Sequence, residues 1–160
     1  MRYQTVVLAS AFALAAAGCS GSSSTGPKQQ PTYNDVSGSY AGPMSGLSQG
    51  IAIDATLTLT VTQASGTLGG SYGLSGTLTD GISVVGISGT GTLSGSIAEG
   101  NNPSVNITAR SGQCPAFSDS FSGAYDTANQ RMTLTGPVSI FAADCSSVLL
   151  TYQTTFILTR

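Results

Sequence analysis

Apolar and polar side chains alternate along most of the chain from residue 36 onward. The clearest run is residues 51–62, in which every odd position is apolar and, from Asp54 on, every even position carries Asp or Thr. A period of two puts one set of side chains on each face of a β-strand, so the run predicts a half-buried strand. At about 3.4 Å per residue this strand is about 40 Å long, a length that is natural in a barrel and unusual in a sandwich.

Further alternating runs follow, separated by turn residues, and none has the period of a helix. Asp80-Gly81 predicts a two-residue hairpin turn, and Pro137 is expected at the end of a strand or at a bulge because it cannot donate to a ladder. With residues 36–42 taken as the first strand, the count is eight. Eight strands close into a barrel that side chains can fill or that leaves room for one small ligand. The sequence therefore predicts an all-β fold, an eight-stranded antiparallel up-and-down β-barrel over residues 34–160.

Two features of the inward-facing positions bear on what such a barrel holds. Glycines are concentrated on the apolar side of the runs between residues 66 and 97, which fits strands coiled tightly around a small lumen. In the run 117–125, the alternation puts Asp119 on the apolar side or at the rim.

The first 18 residues have the layout of a secretory signal peptide. Arg2 supplies a positive start, residues 6–17 form a stretch that is apolar except for Ser10, and small residues precede Cys19. The apolar stretch is shorter than the roughly 20 residues that a membrane-spanning helix needs. Residues 1–18 are therefore predicted to be a signal peptide that directs the rest of the chain out of the cytoplasm.

The motif Ala16-Ala17-Gly18-Cys19 resembles the lipobox of bacterial lipoproteins, with Ala16 where that family usually has Leu. The resemblance implies cleavage before Cys19 by signal peptidase II and acylation of that cysteine, including a diacylglyceryl group on its sulfur. Two acyl chains already suffice for stable anchoring in a membrane. Ser20 stands where that family's inner-membrane retention signal is Asp, so the resemblance favours a lipid-anchored protein of the outer membrane. An ordinary secreted protein with a chance cysteine after its leader is the alternative.

The stretch after Cys19 reads as a spacer. Residues 20–32 contain no large apolar side chain, and their Ser, Gly and Pro content is typical of a flexible tether. The predicted organisation is therefore a signal peptide (1–18), a lipidated N-terminus with a disordered tether (19–33) and a β-barrel domain (34–160).

Composition narrows the range of functions. The chain has no histidine, which removes the commonest general base and the commonest transition-metal ligand. Its seven acidic residues form no pair whose spacing indicates glycosidase chemistry, so we expect a non-catalytic protein without a metal or another cofactor. The formal net charge is −2 and there is no basic run, so nucleic acid is not an expected partner.

Cys114 and Cys145 remain once Cys19 is assigned to the anchor. An even pair in an exported protein predicts a disulfide, which would close a loop of about 30 residues and stabilise the fold by roughly 3.5 kcal/mol. A metal site is the alternative, but the residues beside the two cysteines offer one carboxylate, that of Asp144.

Residues 36–40, Val-Ser-Gly-Ser-Tyr, resemble the Gly-x-Trp opening of lipocalins and avidins, with Tyr40 in place of Trp. The resemblance implies an up-and-down barrel that holds a small hydrophobic molecule. It also implies that Arg160, like the last-strand arginine of lipocalins, lies across Tyr40; the alternative is that Arg160 frays as a terminal residue. The chain departs from the lipocalins in having no tryptophan and no predicted C-terminal helix.

Two functions remain open, both for a protein held at the cell envelope. In the first, the barrel binds a small hydrophobic ligand, and tyrosine hydroxyls supply polar points in an apolar cup. The candidates are Tyr40, Tyr72, Tyr125 and Tyr152. These could equally be core residues with satisfied hydroxyls. In the second function, the barrel is filled and its cysteine-bearing loops contact another envelope protein. A transmembrane barrel fits less well, because the strands lack aromatic girdles.

Overall fold

A computed structural model describes residues 30–160, so the predicted signal peptide, Cys19 and most of the predicted tether lie outside the described residues. Eight β-strands occupy most of the described chain. They are β1 (Gly38–Ser48), β2 (Ile51–Ala64), β3 (Thr67–Thr79), β4 (Val84–Ile97), β5 (Ser104–Ser111), β6 (Ser118–Asp126), β7 (Arg131–Phe141) and β8 (Val148–Thr159). Between residues 30 and 160, no helix has the length and hydropathy needed to cross a bilayer.

Each strand pairs antiparallel with the next, and β8 pairs with β1, so the sheet closes on itself. The predicted all-β, eight-stranded antiparallel up-and-down barrel is therefore confirmed. The ladder that closes the barrel consists of the pair Ala41↔Thr159. Next to it, a Cβ on Gly42 would collide with the carbonyl oxygen of Ile157. Glycine is required at this seam because the two backbones approach so closely.

In β2 the buried side chains are those that the alternation predicts. The inward positions from Ile53 to Val61 are buried, and the residues between them are exposed. The first strand is longer than the predicted 36–42, since β1 runs to Ser48 and pairs with β2 throughout. Pro43, Gly42 and Gly46 interrupt the alternating pattern, so the sequence did not predict this extension. Pro43 is tolerated there because β1 has a full ladder on one side only.

The β3–β4 hairpin reaches beyond its neighbour β5. Strand β4 pairs with β3 from Val84 onward but with β5 only from Gly91 onward, so residues 84–89 form a free edge. The predicted two-residue turn at Asp80-Gly81 is wrong, because four residues, 80–83, join the strands. The Asp80 carboxylate accepts hydrogen bonds from the amides of Ile82 (2.9 Å) and Ser83 (2.7 Å), which hold the longer loop together.

The ladder between β6 and β7 runs from the pair Asp126↔Arg131 to the pair Ser122↔Thr135. It leaves residues 118–121 of β6 and 136–141 of β7 without pairing between these two strands. Beyond it, the amide of Ser139 donates to the Asp119 carboxylate (2.8 Å) instead of to a β6 carbonyl. Amides two residues apart in a strand point the same way, so the nitrogen of Pro137 also faces this side without a ladder. The predicted place of Pro137 at a strand end or bulge is therefore corrected: it lies inside β7, and the irregularity falls at Ile140/Phe141.

One end of the barrel, called here the closed end, is covered by the segment that precedes β1. Val36 is fully buried, and its amide donates to the side-chain oxygen of Gln63 (2.8 Å). Tyr33, the last residue of the predicted tether, packs against Gly66 and the core. The same end carries the turns at residues 65–66, 98–103 and 127–130.

The opposite end, called here the open end, carries four connections at residues 49–50, 80–83, 112–117 and 142–147. A disulfide joins Cys114 to Cys145, with a Cα–Cα distance of 5.4 Å, so that prediction is confirmed. The bond ties the β5–β6 connection to the β7–β8 connection. The strand order places these two connections on either side of the β6–β7 seam.

Candidate functional site

An apolar cavity lies inside the barrel towards the open end. Its volume is about 60 Å³, which exceeds the roughly 10–15 Å³ that a single water needs. Its walls come mainly from inward-facing side chains of β2 to β8. Its apolar lining includes Leu57, Leu74, Leu93, Ile107, Leu134 and Phe156.

A carboxylate faces this apolar space from β6. Asp119 is partly buried and lines the cavity, as its place on the apolar face of the alternation predicts. One of its oxygens accepts from the amide of Ser139 and the other from the hydroxyl of Ser139, both at 2.8 Å. A single residue on the neighbouring strand therefore orients the carboxylate across the β6–β7 seam.

Tyr72 lies on the wall opposite β6, on strand β3. Its ring rests on Gly91 of β4, where a Cβ would stand 2.5 Å from the ring atom Cε1. Burial is the main cause that raises the pKa of the Tyr72 hydroxyl, and the negative charge of Asp119 adds to the rise, while the Ser111 hydroxyl opposes it. The phenol is thus neutral and available as a hydrogen-bond donor at physiological pH.

Two phenylalanines stand beside the seam at the open end. The rings of Phe117 and Phe141 stack with centroids 4.8 Å apart, and both line the cavity. Phe117 ends the connection that contains Cys114, and Phe141 directly precedes the one that contains Cys145. The disulfide therefore constrains the two segments that carry this aromatic pair.

Of the four tyrosines predicted to contact a ligand, Tyr72 is the one that lines this cavity. Tyr40 and Tyr125 meet edge to face near the closed end, with ring centroids 6.4 Å apart. The Tyr40 hydroxyl donates to the carbonyl of Val36 (2.9 Å), and the Tyr152 hydroxyl donates to that of Ile51 (3.3 Å). Both hydroxyls therefore have backbone partners, as expected of core tyrosines.

Arg160 lies over Gly38 and Tyr40, the Gly-x-Tyr segment at the start of the first strand. Its guanidinium packs against Gly38, where a Cβ would stand 2.6 Å from Nε. The positive charge of Arg160 lowers the pKa of the Tyr40 hydroxyl. Burial of that hydroxyl has the larger effect and raises its pKa well above the ordinary range. The arginine thus caps the closed end beside Tyr40.

Three comparisons with known proteins find no match: no protein-family model, no curated protein and no solved structure is similar to this chain.

The cavity combines an apolar lining with a few polar side chains. From the described residues, the polar side chains that line it are one carboxylate, one phenol and the hydroxyls of Ser111, Ser118 and Ser139. In the described part of the chain, no three metal-ligating side chains come together.

The alternation predicts Asp119 on the apolar side of its strand, but Asp119 is not among the residues predicted to contact a ligand. The signal that could have found it is a carboxylate at an inward position, since a buried charge needs partners or a ligand. Ser139 gave no such signal, because it comes close to Asp119 only through the register of two strands.

Proposed function

We propose that this protein is a non-catalytic binding module of the cell envelope, anchored through acylated Cys19, that takes a small and mostly apolar ligand into the open end of its barrel. One observation supports the ligand site more than any other. The same barrel is solid where the segment before β1 covers it and hollow next to the disulfide-linked connections.

The cavity has the features expected of a ligand site, namely an apolar lining with a few convergent polar groups. Its size limits the ligand. A volume of about 60 Å³ limits it to a short aliphatic chain or the end of a longer one. A larger molecule would have to extend outwards past Phe117 and Phe141.

The anchor rests on the resemblance of residues 16–19 to a lipobox and on the Ser/Gly-rich composition that follows. The described chain enters the barrel at the closed end, which is the end away from the cavity. An anchor at Cys19 is therefore compatible with a ligand entering at the open end. Outer-membrane placement is part of the same proposal, from Ser20.

The ligand site is tested by native mass spectrometry of the full chain purified in mild detergent, together with analysis of a solvent extract. We expect a bound small molecule that is released by unfolding. The matched variant is Ala109→Leu, which fills the cavity from β5 and should abolish the bound mass. Equal bound mass in both proteins would place the molecule elsewhere and contradict the proposal.

The anchor is tested separately by Cys19→Ala in a bacterial cell. Loss of membrane sedimentation, with loss of the mass of the acyl chains, is the expected result. A variant that still sediments with membranes at an unchanged mass would refute the anchor and leave the cavity untouched.

A second function, contact with another envelope protein, is favoured by the surface of the open end. Among the described residues, six exposed large apolar side chains gather there. They are Leu47 (73% exposed), Ile82 (94%), Val84 (70%), Val85 (58%), Val148 (42%) and Leu149 (55%). Several exposed large apolar side chains at one end of a domain support an interaction site there.

The free edge of β4 adjoins this surface and specifies the kind of contact. The Thr90 carbonyl accepts from the Gly112 amide (2.9 Å), so the backbone groups of Thr90 point away from β3. Those of Ser88, Gly86 and Val84 point the same way, because direction alternates along a strand. They form an edge to which an extended segment of a partner protein can add as a further strand.

A photo-crosslinking residue at position 82 should capture this partner in cells, and one at Ala128 in the β6–β7 turn should not. Gly86→Pro removes an outward amide without removing a bond to β3, so it should abolish the crosslink at position 82. A crosslink that survives Gly86→Pro would rule out strand addition.

A further inference from the structure

The carboxylate of Asp119 has no cationic partner in the described part of the chain. Within residues 30–160, the one ion pair joins Arg131 to Asp126 (3.7 Å), at the β6–β7 turn of the closed end. Neither Arg110 nor Arg160 comes within 4 Å of Asp119. Asp119 is nevertheless partly buried and lines an apolar cavity, an environment in which a negative charge is costly unless it is compensated.

The hydrogen bonds of Asp119 leave part of its capacity unused. A carboxylate can accept about four hydrogen bonds, and Ser139 supplies one to each oxygen. Both of these come from β7, at the side of the cavity, and they hold the carboxylate in a defined orientation. The remaining acceptor positions are free for a donor that arrives through the cavity.

The other groups around the carboxylate suit a cation. Tyr72, Phe117, Phe121 and Phe141 line the same cavity, and aromatic faces attract ammonium groups. Among residues 30–160, no basic side chain lines the cavity to repel one. A carboxylate ligand, in contrast, would meet the charge of Asp119 directly.

We propose that the ligand is a small amphiphilic amine, whose ammonium group binds Asp119 while its short aliphatic chain occupies the apolar part of the cavity. This inference rests on the proposed ligand-binding function and adds the chemical class of the ligand. The contact is a charge-assisted hydrogen bond from N–H to a carboxylate that Ser139 has already oriented. No covalent bond is made or broken.

The experiment compares three probes with the same chain and different heads: hexylammonium, hexan-1-ol and hexanoate. Each is titrated into the full chain at neutral pH and followed by calorimetry or by NMR shifts of the cavity residues. We expect hexylammonium to bind about tenfold or more tighter than hexan-1-ol, and hexanoate to bind weakest. Hexan-1-ol that binds as tightly as hexylammonium would overturn the inference.

Asp119→Asn is the matched variant, because it removes the charge and keeps an oxygen that can accept from Ser139. It should lower hexylammonium affinity about tenfold or more and leave hexan-1-ol nearly unchanged. An equal loss for both probes would show that Asp119 only shapes the cavity and would overturn the inference. If Asp119→Asn does not fold, the salt dependence of the unmodified protein decides: hexylammonium affinity should fall with ionic strength, whereas that of hexan-1-ol should not.

Ala109→Leu separates this inference from the proposed function. It should abolish the binding of hexylammonium and hexan-1-ol alike. If both probes bind the unmodified protein equally and Ala109→Leu abolishes both, the cavity is a ligand site of another class. If Ala109→Leu changes neither affinity, the cavity is not the binding site, and the proposed function fails with the inference.

Discussion

The two ends of the barrel are built from the same kind of strand but are finished differently. At the closed end, Val36 is fully buried, and Tyr40 and Tyr125 fill the space beside it. At the open end, the strands stop at unequal heights, and a disulfide, an aromatic pair and one carboxylate border a cavity. The difference shows that a period-two pattern can surround either a solid core or a hollow one, and the covering segments decide which.

The largest expected change in the free energy of unfolding comes from comparing two tyrosines, one beside the solid part of the barrel and one beside the cavity. Tyr40→Ala removes a fully buried ring and should lower the free energy of unfolding by about 3–5 kcal/mol. Tyr72→Ala removes a partly buried ring beside existing space and should cost about half as much or less. Denaturant unfolding of both variants measures the difference, and equal losses would mean that the two ends are equally well packed.

The disulfide gives the next largest effect. Replacing both Cys114 and Cys145 by Ser should cost about 3–4 kcal/mol, as the chain-entropy account gives for a separation of 31 residues. Hydrogen exchange should speed up first in residues 112–117 and 142–147, with the segment around Val36 changing last. Reduction of the unmodified protein is the control and should give the same pattern. Uniform loss of protection would contradict a local role of the disulfide at the open end.

An intermediate effect appears at alkaline pH. Burial, chiefly, and the neighbouring Tyr125 raise the pKa of Tyr40 above that of an unfolded tyrosine, which is near 10. A raised pKa means that the stabilisation is complete below pH 10 and is lost as the pH rises above it, because the unfolded state ionises first. The free energy of unfolding should therefore fall by up to about 1.4 kcal/mol per pH unit for this residue. Tyr40→Phe should make the decline shallower, and an unchanged slope would exclude Tyr40 as its cause.

The smallest effect on stability is expected at the tip of the β3–β4 hairpin. Ile82 is 94% exposed, so Ile82→Ser should change the free energy of unfolding by less than about 0.5 kcal/mol. The same change should reduce binding of the envelope partner at the open end, measured by chemical crosslinking in cells. Ala128→Ser in the turn at the closed end is the matched control. A large loss of stability in Ile82→Ser would show that the tip packs against the barrel.

The alternation of apolar and polar residues was sufficient to predict most of the fold. The alternation in residues 51–62 became β2, the inward position of Asp119 was predicted from the parity of its strand, and the two cysteines form the expected disulfide. The pattern was less informative where proline and glycine interrupt it. The extension of β1 past Pro43 and the place of Pro137 depend on which neighbour is absent on one side of a strand, whereas the four-residue loop at 80–83 depends on hydrogen bonds to the Asp80 carboxylate.

The candidate site was harder to predict than the fold. Four tyrosines looked equivalent in the sequence, yet Tyr72 alone among them lines the cavity, while the hydroxyls of Tyr40 and Tyr152 bond to backbone carbonyls. Tyr40 and Tyr125 lie towards the closed end, whereas the Tyr152 hydroxyl reaches Ile51 at the open end, so the position of each ring depends on how far each strand is shifted against the next. Asp119 and Ser139, 20 residues apart in the chain, meet through that shift.

The amino-acid sequence by itself determined the strands, the face that each one buries and their number, because a period of two follows directly from the geometry of an extended chain. Only the tertiary structure decided the stagger between strands, and with it the free edge of β4, the β6–β7 seam and the cavity. Stagger depends on turn lengths and on the packing of side chains that are distant in sequence, which no local period specifies.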